Sequence, residues 1–140
     1  MLLLDTNVLS ELMQQKPDQQ VLSWIDDQSS HEIWISSITV FEGQYGIEIM
    51  SDGVRKHRLQ AQFERLIVED FENRVLYFDA RAAQEAASLA AKRRAVGRPV
   101  DIRDTYIAGI AIAHSATLVT GNTRHFDDVS VPVLNPWKMR

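Results

Sequence analysis

The chain has 140 residues, no cysteine and a formal net charge of −4, with 45% hydrophobic and 24% charged residues. This composition is typical of a folded globule and excludes disulfides, thiolate metal sites and the strongly basic character of proteins that bind nucleic acid by charge alone. We expect a single domain over residues 1–140, because a chain of this length can bury one sizeable core.

The first elements in chain order are short. The apolar residues 2–4 predict a buried strand, residues 8–14 a short helix, and Asp18 can cap a second helix through its side-chain oxygen. Residues 33–35 are β-branched and aromatic, which favours a second strand. The chain therefore begins with strands and helices in alternation.

A longer helix is predicted after Ser36 or Ser37, either of which can act as its N-cap. Apolar residues recur in it at steps of three and four and predict a buried stripe, made of Ile38, Phe41, Tyr45 and Ile49. Glu42 lies beside this stripe. After Gly53 a further helix is predicted around residues 59–67, followed by a strand at residues 75–77.

The last third of the chain continues the alternation. Asp79 caps a helix over residues 80–96, which contains eight alanines and ends at Gly97 with basic residues in its closing turns. A helix over residues 103–115 precedes a strand at residues 117–119. Residues 131–134 predict an edge strand, because Pro132 cannot donate to a hydrogen-bond ladder.

This order of elements predicts an α/β fold with a central parallel sheet covered by helices on both faces. Open sheets of this kind bind ligands at the carboxyl ends of their strands. The residues that follow each strand are therefore the first place to look for a functional site.

Three acidic residues have conspicuous positions. Asp5 follows the first strand, Glu42 lies in the otherwise apolar run 38–42, and Asp104 directly precedes the apolar run 106–113. If the fold gathers the three carboxylates, they can hold a hard cation such as Mg²⁺ or Mn²⁺. Taken singly, each has a structural alternative: Asp5 as a turn or cap residue, and Glu42 as an exposed border residue. Near Asp104, either Asp104 or Asp101 can be the cap of the helix.

A second group of polar residues follows the late strand. Asn122 can offer a carbonyl oxygen to a metal or its water, while Thr120 and Thr6 can donate hydroxyl hydrogen bonds. Gly121 and Asn122 equally suit a tight turn. Arg124 is one of several basic residues that can contact a phosphate, although runs of basic residues often form solvated helix faces.

Together these motifs resemble PIN-domain ribonuclease toxins of the VapC/FitB type. The resemblance is carried by Asp5-Thr6-Asn7, the segment 36–46 with Glu42, Asp104 before Tyr106, the segment 120–126, and Asn135-Pro136-Trp137. It covers nearly the whole chain. It implies a three-layer PIN fold and a Mg²⁺-dependent endoribonuclease, the toxin of a bacterial type II toxin–antitoxin pair. It further implies a homodimer that a small DNA-binding antitoxin silences.

The resemblance also implies roles for residues. By motif position, Asp5, Glu42, Asp104 and Asn122 are catalytic, the three acids bind the metal, and Thr6, Thr120 and Arg124 support the site. Many PIN domains have a fourth acid where this chain has Asn122. An amide adds no negative charge, so a second metal ion would be held less strongly, and one or two acting ions both remain open.

Two other functions stay under consideration. Asp5 could be the nucleophile of a phosphatase, although no second aspartate lies two residues later to act as acid and base. Asn122 could instead mark a catalytically weakened PIN fold that binds protein. The chain lacks a leader-like basic and apolar start and a span-length apolar run, so we expect a cytoplasmic protein without membrane association.

Overall fold

The computed structural model describes residues 1–139 and has a central sheet of five parallel strands. They are β1 (Leu2–Leu4), β2 (Ile33–Ser36), β3 (Val75–Leu76), β4 (Thr117–Val119) and β5 (Val133–Leu134). Their spatial order is β3-β2-β1-β4-β5, and every neighbouring pair is parallel. Strand β1, which carries Asp5 at its end, is thus central, and β5 is an edge strand, as predicted.

Six α-helices connect the strands: α1 (Thr6–Leu12), α2 (Gln19–Asp26), α3 (Ser37–Glu48), α4 (Val54–Arg65), α5 (Ala80–Ala95) and α6 (Ile102–His114). A π-helical turn, Leu66–Asp70, extends α4, and a 3₁₀ turn, Thr123–Phe126, follows β4. The predicted caps Asp18, Ser36 and Asp79 each accept a backbone hydrogen bond at the start of a helix. Helix α1 begins and ends two residues earlier than predicted, because Asp5 itself caps it.

The sheet separates two apolar cores. Leu3 packs with α5 and α6 on one face, while the next residue, Leu4, packs with α1 to α4 on the other. Successive side chains of a strand point to opposite faces, so the continuous apolar run of β1 is buried on both sides. The predicted three-layer α/β fold is confirmed.

Helices α5 and α6 approach each other closely at Gly109. A Cβ atom on Gly109 would lie 2.5 Å from the carbonyl oxygen of Ala82 and 2.7 Å from the Cβ of Ala86. The alanines of α5 therefore do more than favour helix formation, since their small side chains let α6 lie directly against α5. This contact fixes α6, which carries Asp104.

The predicted apolar stripe of α3 is wrong in part. Phe41, Tyr45 and Ile49 are 56%, 52% and 67% exposed, and only Ile38 of that stripe packs against the core. Thr39 and Ile47 are buried instead, four residues to either side of Gly43. A Cβ on Gly43 would lie 2.6 Å from the ring of Phe63, so glycine lets α4 pack on this face.

Within residues 1–139, the helices are too short or too polar to cross a bilayer.

Candidate active site

The predicted site residues meet in one cleft at the carboxyl ends of the strands. The cleft has a volume of about 420 Å³ and is lined by Asp5, Thr6, Asn7, Ser10, Glu11, Gln14, Glu42, Asp104 and Asn122. The lining residues come from the turn after β1, from α1, α3 and α6, and from the loop after β4. The fold therefore brings all three predicted acids and the predicted amide together.

Asp5 is the most constrained side chain of the cleft. It is 3% exposed, and its two carboxylate oxygens accept separate hydrogen bonds, one from the Thr6 backbone N–H at 2.8 Å and one from the Thr120 hydroxyl at 2.7 Å. Burial raises the pKa of Asp5 from 3.8 to about 6, against the two hydrogen bonds, and the negative charges of Asp104 and Glu42 raise it further. Asp5 thus lies within electrostatic reach of both other acids.

Glu42 is half-buried on α3 and faces α1. The Thr6 hydroxyl donates to its Oε1 at 2.8 Å, and Arg103 Nη1 lies 3.5 Å from its Oε2. The Thr6 hydroxyl is also 2.9 Å from that of Thr39. Thr6 therefore orients two acids at once, Asp5 through its backbone N–H and Glu42 through its hydroxyl.

Asp104 lies in the first turn of α6, where unpaired N–H groups favour a carboxylate. Of the two predicted caps, Asp101 is the one that caps this helix, since its side chain accepts a hydrogen bond from the Arg103 N–H. The Oδ2 atom of Asp104 is 2.8 Å from Nδ1 of His125 in the 3₁₀ turn. The sequence did not single out His125 for the site; its place in the polar segment 120–126 was the available signal.

Asn122 lines the cleft at the end of a tight loop. Its backbone N–H donates to the Thr120 hydroxyl oxygen at 3.0 Å. The Gly121 N–H donates to the side-chain oxygen of Asn7 at 3.3 Å, which connects this loop to α1. A Cβ on Gly121 would lie 2.8 Å from the ring of Trp137, which explains the glycine. Gly121 lies in a bend and Asn122 lines the cleft beside it, and a role of the Asn122 amide towards metal or water remains a prediction.

Arg124 is exposed on the 3₁₀ turn, where its backbone carbonyl accepts a hydrogen bond from Arg98. Among the described residues, it is not one of those that line the cleft. The basic side chain beside the acids is instead Arg103, next to Glu42. A contact of Arg124 with phosphate remains a prediction.

The donor chemistry of the cleft suits a hard cation, because three carboxylates and an amide supply only oxygen ligands to it. In the described part of the chain, no three Asp, Glu, His or Cys side chains are arranged to hold a metal as they stand. Glu42 and Asp104 are turned towards Arg103 and His125. The contact with His125 involves only the Oδ2 atom of Asp104, so the Oδ1 atom of this carboxylate remains available to a ligand.

The chain is similar to known proteins over nearly its whole length. Residues 2–132 match the family model described as PIN domain. The chain is 41% identical to "Plasmid stability protein StbB" of Pseudomonas syringae pv. tomato and 37% identical to "VapC ribonuclease Y4jK" of Sinorhizobium fredii. Each match covers 99% of this chain and 99% of the relative. The solved structure "Structure of FitAB bound to IR36 DNA fragment" superposes with a TM-score of 0.90 at 34% identity, covering 100% of this chain and 98% of that one.

Proposed function

The chain belongs to the PIN-domain family, in its VapC/FitB toxin branch, and from this premise we propose that it is a Mg²⁺-dependent endoribonuclease. Mn²⁺ is the expected substitute ion. In the proposal, the enzyme is the toxin of a type II toxin–antitoxin pair. The observation that carries the activity is the convergence of Asp5, Glu42, Asp104 and Asn122 in one cleft.

Relatives support the substrate class. The Sinorhizobium fredii relative is named a VapC ribonuclease, so the same chemistry is the simplest proposal for this chain. Unpaired regions of RNA are the substrate we propose, because a single-stranded backbone can enter a narrow cleft. The acidic lining would repel a bare phosphate backbone. A bound divalent cation would offset this repulsion.

Asp5 and Asp104 would hold the ion, with Glu42 completing the set directly or through water. A bound Mg²⁺ polarises a phosphate and lowers the pKa of its water, which are the two needs of phosphodiester hydrolysis. Thr120 and the Thr6 N–H keep the Asp5 carboxylate in one orientation.

Glu42 is the proposed acceptor of the proton from the attacking water. Its Oε1 is held by Thr6, and its Oε2 lies 3.5 Å from Arg103, the nearest cation. Arg103 is exposed and can turn towards a phosphate, which would free that oxygen. The amide of Asn122 would orient water or RNA from the opposite wall.

The alternative functions fare less well. A phosphatase with Asp5 as nucleophile would need a second acid two residues later to act as acid and base, and that residue is Asn7. A weakened protein-binding module has only the amide of Asn122 in its favour. The three acids and the hydrogen bonds that orient two of them favour the nuclease.

Cleavage of RNA by the purified, antitoxin-free protein tests the proposal. We expect cleavage with Mg²⁺ or Mn²⁺ and none in excess EDTA, and expect Asp5→Asn and Asp104→Asn to lose activity while remaining folded. The matched control is Asp52→Asn, which removes an exposed carboxylate outside the cleft. Full activity of either cleft variant, or activity in EDTA, would reject the assignment.

We also propose a cognate small DNA-binding antitoxin, since a similar solved structure is a FitAB assembly with DNA. A homodimer is proposed as well, from the family resemblance. Trp24 belongs to the core and Trp137 packs against it, so neither is a candidate for the interface. The exposed apolar residues Phe41, Tyr45 and Ile49 are better candidates. Light scattering that shows only monomer at tens of micromolar would contradict the dimer.

A further inference from the structure

Asp5 and Arg93 are the two fully buried charged residues among residues 1–139. The proposed metal accounts for the burial of Asp5, whereas Arg93, near the end of α5, has no part in the chemistry described so far. A buried charge is tolerated only with compensating hydrogen bonds, because removal of an ion from water carries a large free-energy cost. The hydrogen-bond partners of Arg93 therefore indicate its role in the structure.

The guanidinium of Arg93 connects three separate parts of the chain. Its Nε and Nη2 atoms donate to the two carboxylate oxygens of Asp128 at 2.9 and 2.8 Å. Its Nη1 donates to the buried hydroxyl of Thr105 at 2.9 Å, and Nη2 also donates to the carbonyl of His125 at 2.7 Å. Helix α5 is thus bound to α6 and to the turn after β4 by one side chain.

Two of these partners flank the Asp104–His125 contact. Thr105 follows Asp104 directly on α6, and the carbonyl that Arg93 binds belongs to the residue whose ring touches Asp104. The 3₁₀ turn that carries His125 has no side-chain cap of its own. Phe126 at the end of the turn is buried in the same core cluster as α6, whereas the backbone at His125 is bound by Arg93 from outside the turn.

We propose that Arg93 is a positioning residue that fixes the Asp104–His125 pair at the cleft by binding the chain beside both partners, and thereby sets the rate of RNA cleavage. The inference rests on the proposed nuclease function. Arg93 touches neither RNA nor metal in this role. It acts through the geometry of Asp104, and an ångström of misplacement at a reacting centre can cost roughly 100-fold in rate.

Arg98 supplies the matched comparison. It contacts the same turn, through Asp127 at 2.6 Å and the carbonyl of Arg124, but none of its hydrogen bonds reaches α6. Lysine at either position keeps the charge and loses the planar fork of donors. Arg93→Lys therefore weakens the connection between α6 and the turn, whereas Arg98→Lys weakens only the contacts of the turn. Comparing the two variants separates these effects.

The kinetic test compares Arg93→Lys, Arg98→Lys and wild type with Mg²⁺, well below their melting temperatures. We expect Arg93→Lys to lower kcat by at least about tenfold with little change in KM, because the lost interaction acts in the transition state. Arg98→Lys should stay within about twofold of wild type. Equal losses in both variants, or an unchanged kcat in Arg93→Lys, would overturn the proposal.

A second readout follows the position of His125 itself. In ¹H–¹⁵N spectra of the histidine rings, assigned with His125→Gln, Nδ1 of His125 should move in Arg93→Lys towards the shift of exposed His31, and stay in place in Arg98→Lys. A residue that only stabilises the fold would leave this signal unchanged. If Arg93→Lys fails to fold, Thr105→Val decides, and an unchanged kcat and ring signal there would overturn the proposal.

The two proposals can fail separately. RNA cleavage that Asp5→Asn abolishes and Arg93→Lys leaves at the wild-type rate would overturn only the role of Arg93. No cleavage by the wild-type protein would reject the nuclease function, and the positioning role would fall with it.

Discussion

Replacing Asp5 by asparagine should stabilise the metal-free protein. The pKa of Asp5 is raised from 3.8 to about 6, chiefly by burial. At about 1.4 kcal/mol per pH unit, this rise corresponds to a free-energy cost of roughly 3 kcal/mol for the ionised carboxylate in the folded state. An asparagine side chain at this position would fill the same space without a charge to desolvate, and its one oxygen can still accept one of the two hydrogen bonds that Asp5 accepts.

The sign of the pH dependence follows from proton linkage. Below pH 3.8 Asp5 is protonated in both the folded and the unfolded chain, and it costs nothing. Between 3.8 and about 6 the unfolded chain releases the proton first, so the free energy of unfolding falls as pH rises. Above about 6 the full penalty is present. Asp5→Asn lacks this titration, so the excess of its free energy of unfolding over that of wild type should grow between pH 3.8 and about 6.

Denaturant unfolding in EDTA, from about pH 3.5 to about pH 7.5, measures this difference directly. We expect the stability of Asp5→Asn relative to wild type to rise by about 3 kcal/mol over this range. Subtracting the two curves removes the titrating groups that do not interact with Asp5, and Asp52→Asn controls for loss of an acid in general. If the difference in free energy of unfolding between the two proteins does not change with pH, the proposed destabilisation by the buried Asp5 carboxylate is refuted.

Mg²⁺ should remove most of the difference in stability between the two proteins. An ion that binds only the folded cleft adds about 2.7 kcal/mol at a hundredfold excess over its Kd. Wild type should therefore gain stability in millimolar Mg²⁺, and Asp5→Asn should gain little. Equal thermal shifts in the two proteins would mean that Asp5 is not a metal ligand.

Three further predictions concern other parts of the molecule. Asn122→Asp should keep RNA cleavage and tighten Mg²⁺ binding, measured by calorimetry, because a fourth carboxylate adds negative charge to the cleft; weaker binding would contradict this. Gly109→Ala should lower the free energy of unfolding by about 1–3 kcal/mol, since its Cβ would meet Ala82 of α5. Gly46→Ala, on α3 with open space around it, should instead raise that energy by up to about 1 kcal/mol in the same denaturant series. Similar effects of the two alanines would show that α5 and α6 are not tightly packed.

Local patterns were sufficient for much of the fold. Asp18, Ser36 and Asp79 cap helices through hydrogen bonds to residues two or three positions away, and such contacts depend on neighbouring residues alone. The apolar run of β1 likewise identified a strand buried on both faces. Since parallel strands align their carboxyl ends, the position of Asp5 at a binding edge followed as well.

Tertiary structure decided which face of α3 is buried and how the acids are held. The apolar stripe predicted from the sequence is largely exposed, and the buried face of α3 is the one on which Gly43 lies against Phe63, with Thr39 and Ile47 on either side. Thr120 binds Asp5 across 115 positions of the chain, and Arg93 binds Asp128 across 35. Residue types and spacing do not specify such pairs, because contacts between distant positions exist only once the sheet order has brought their strand ends together.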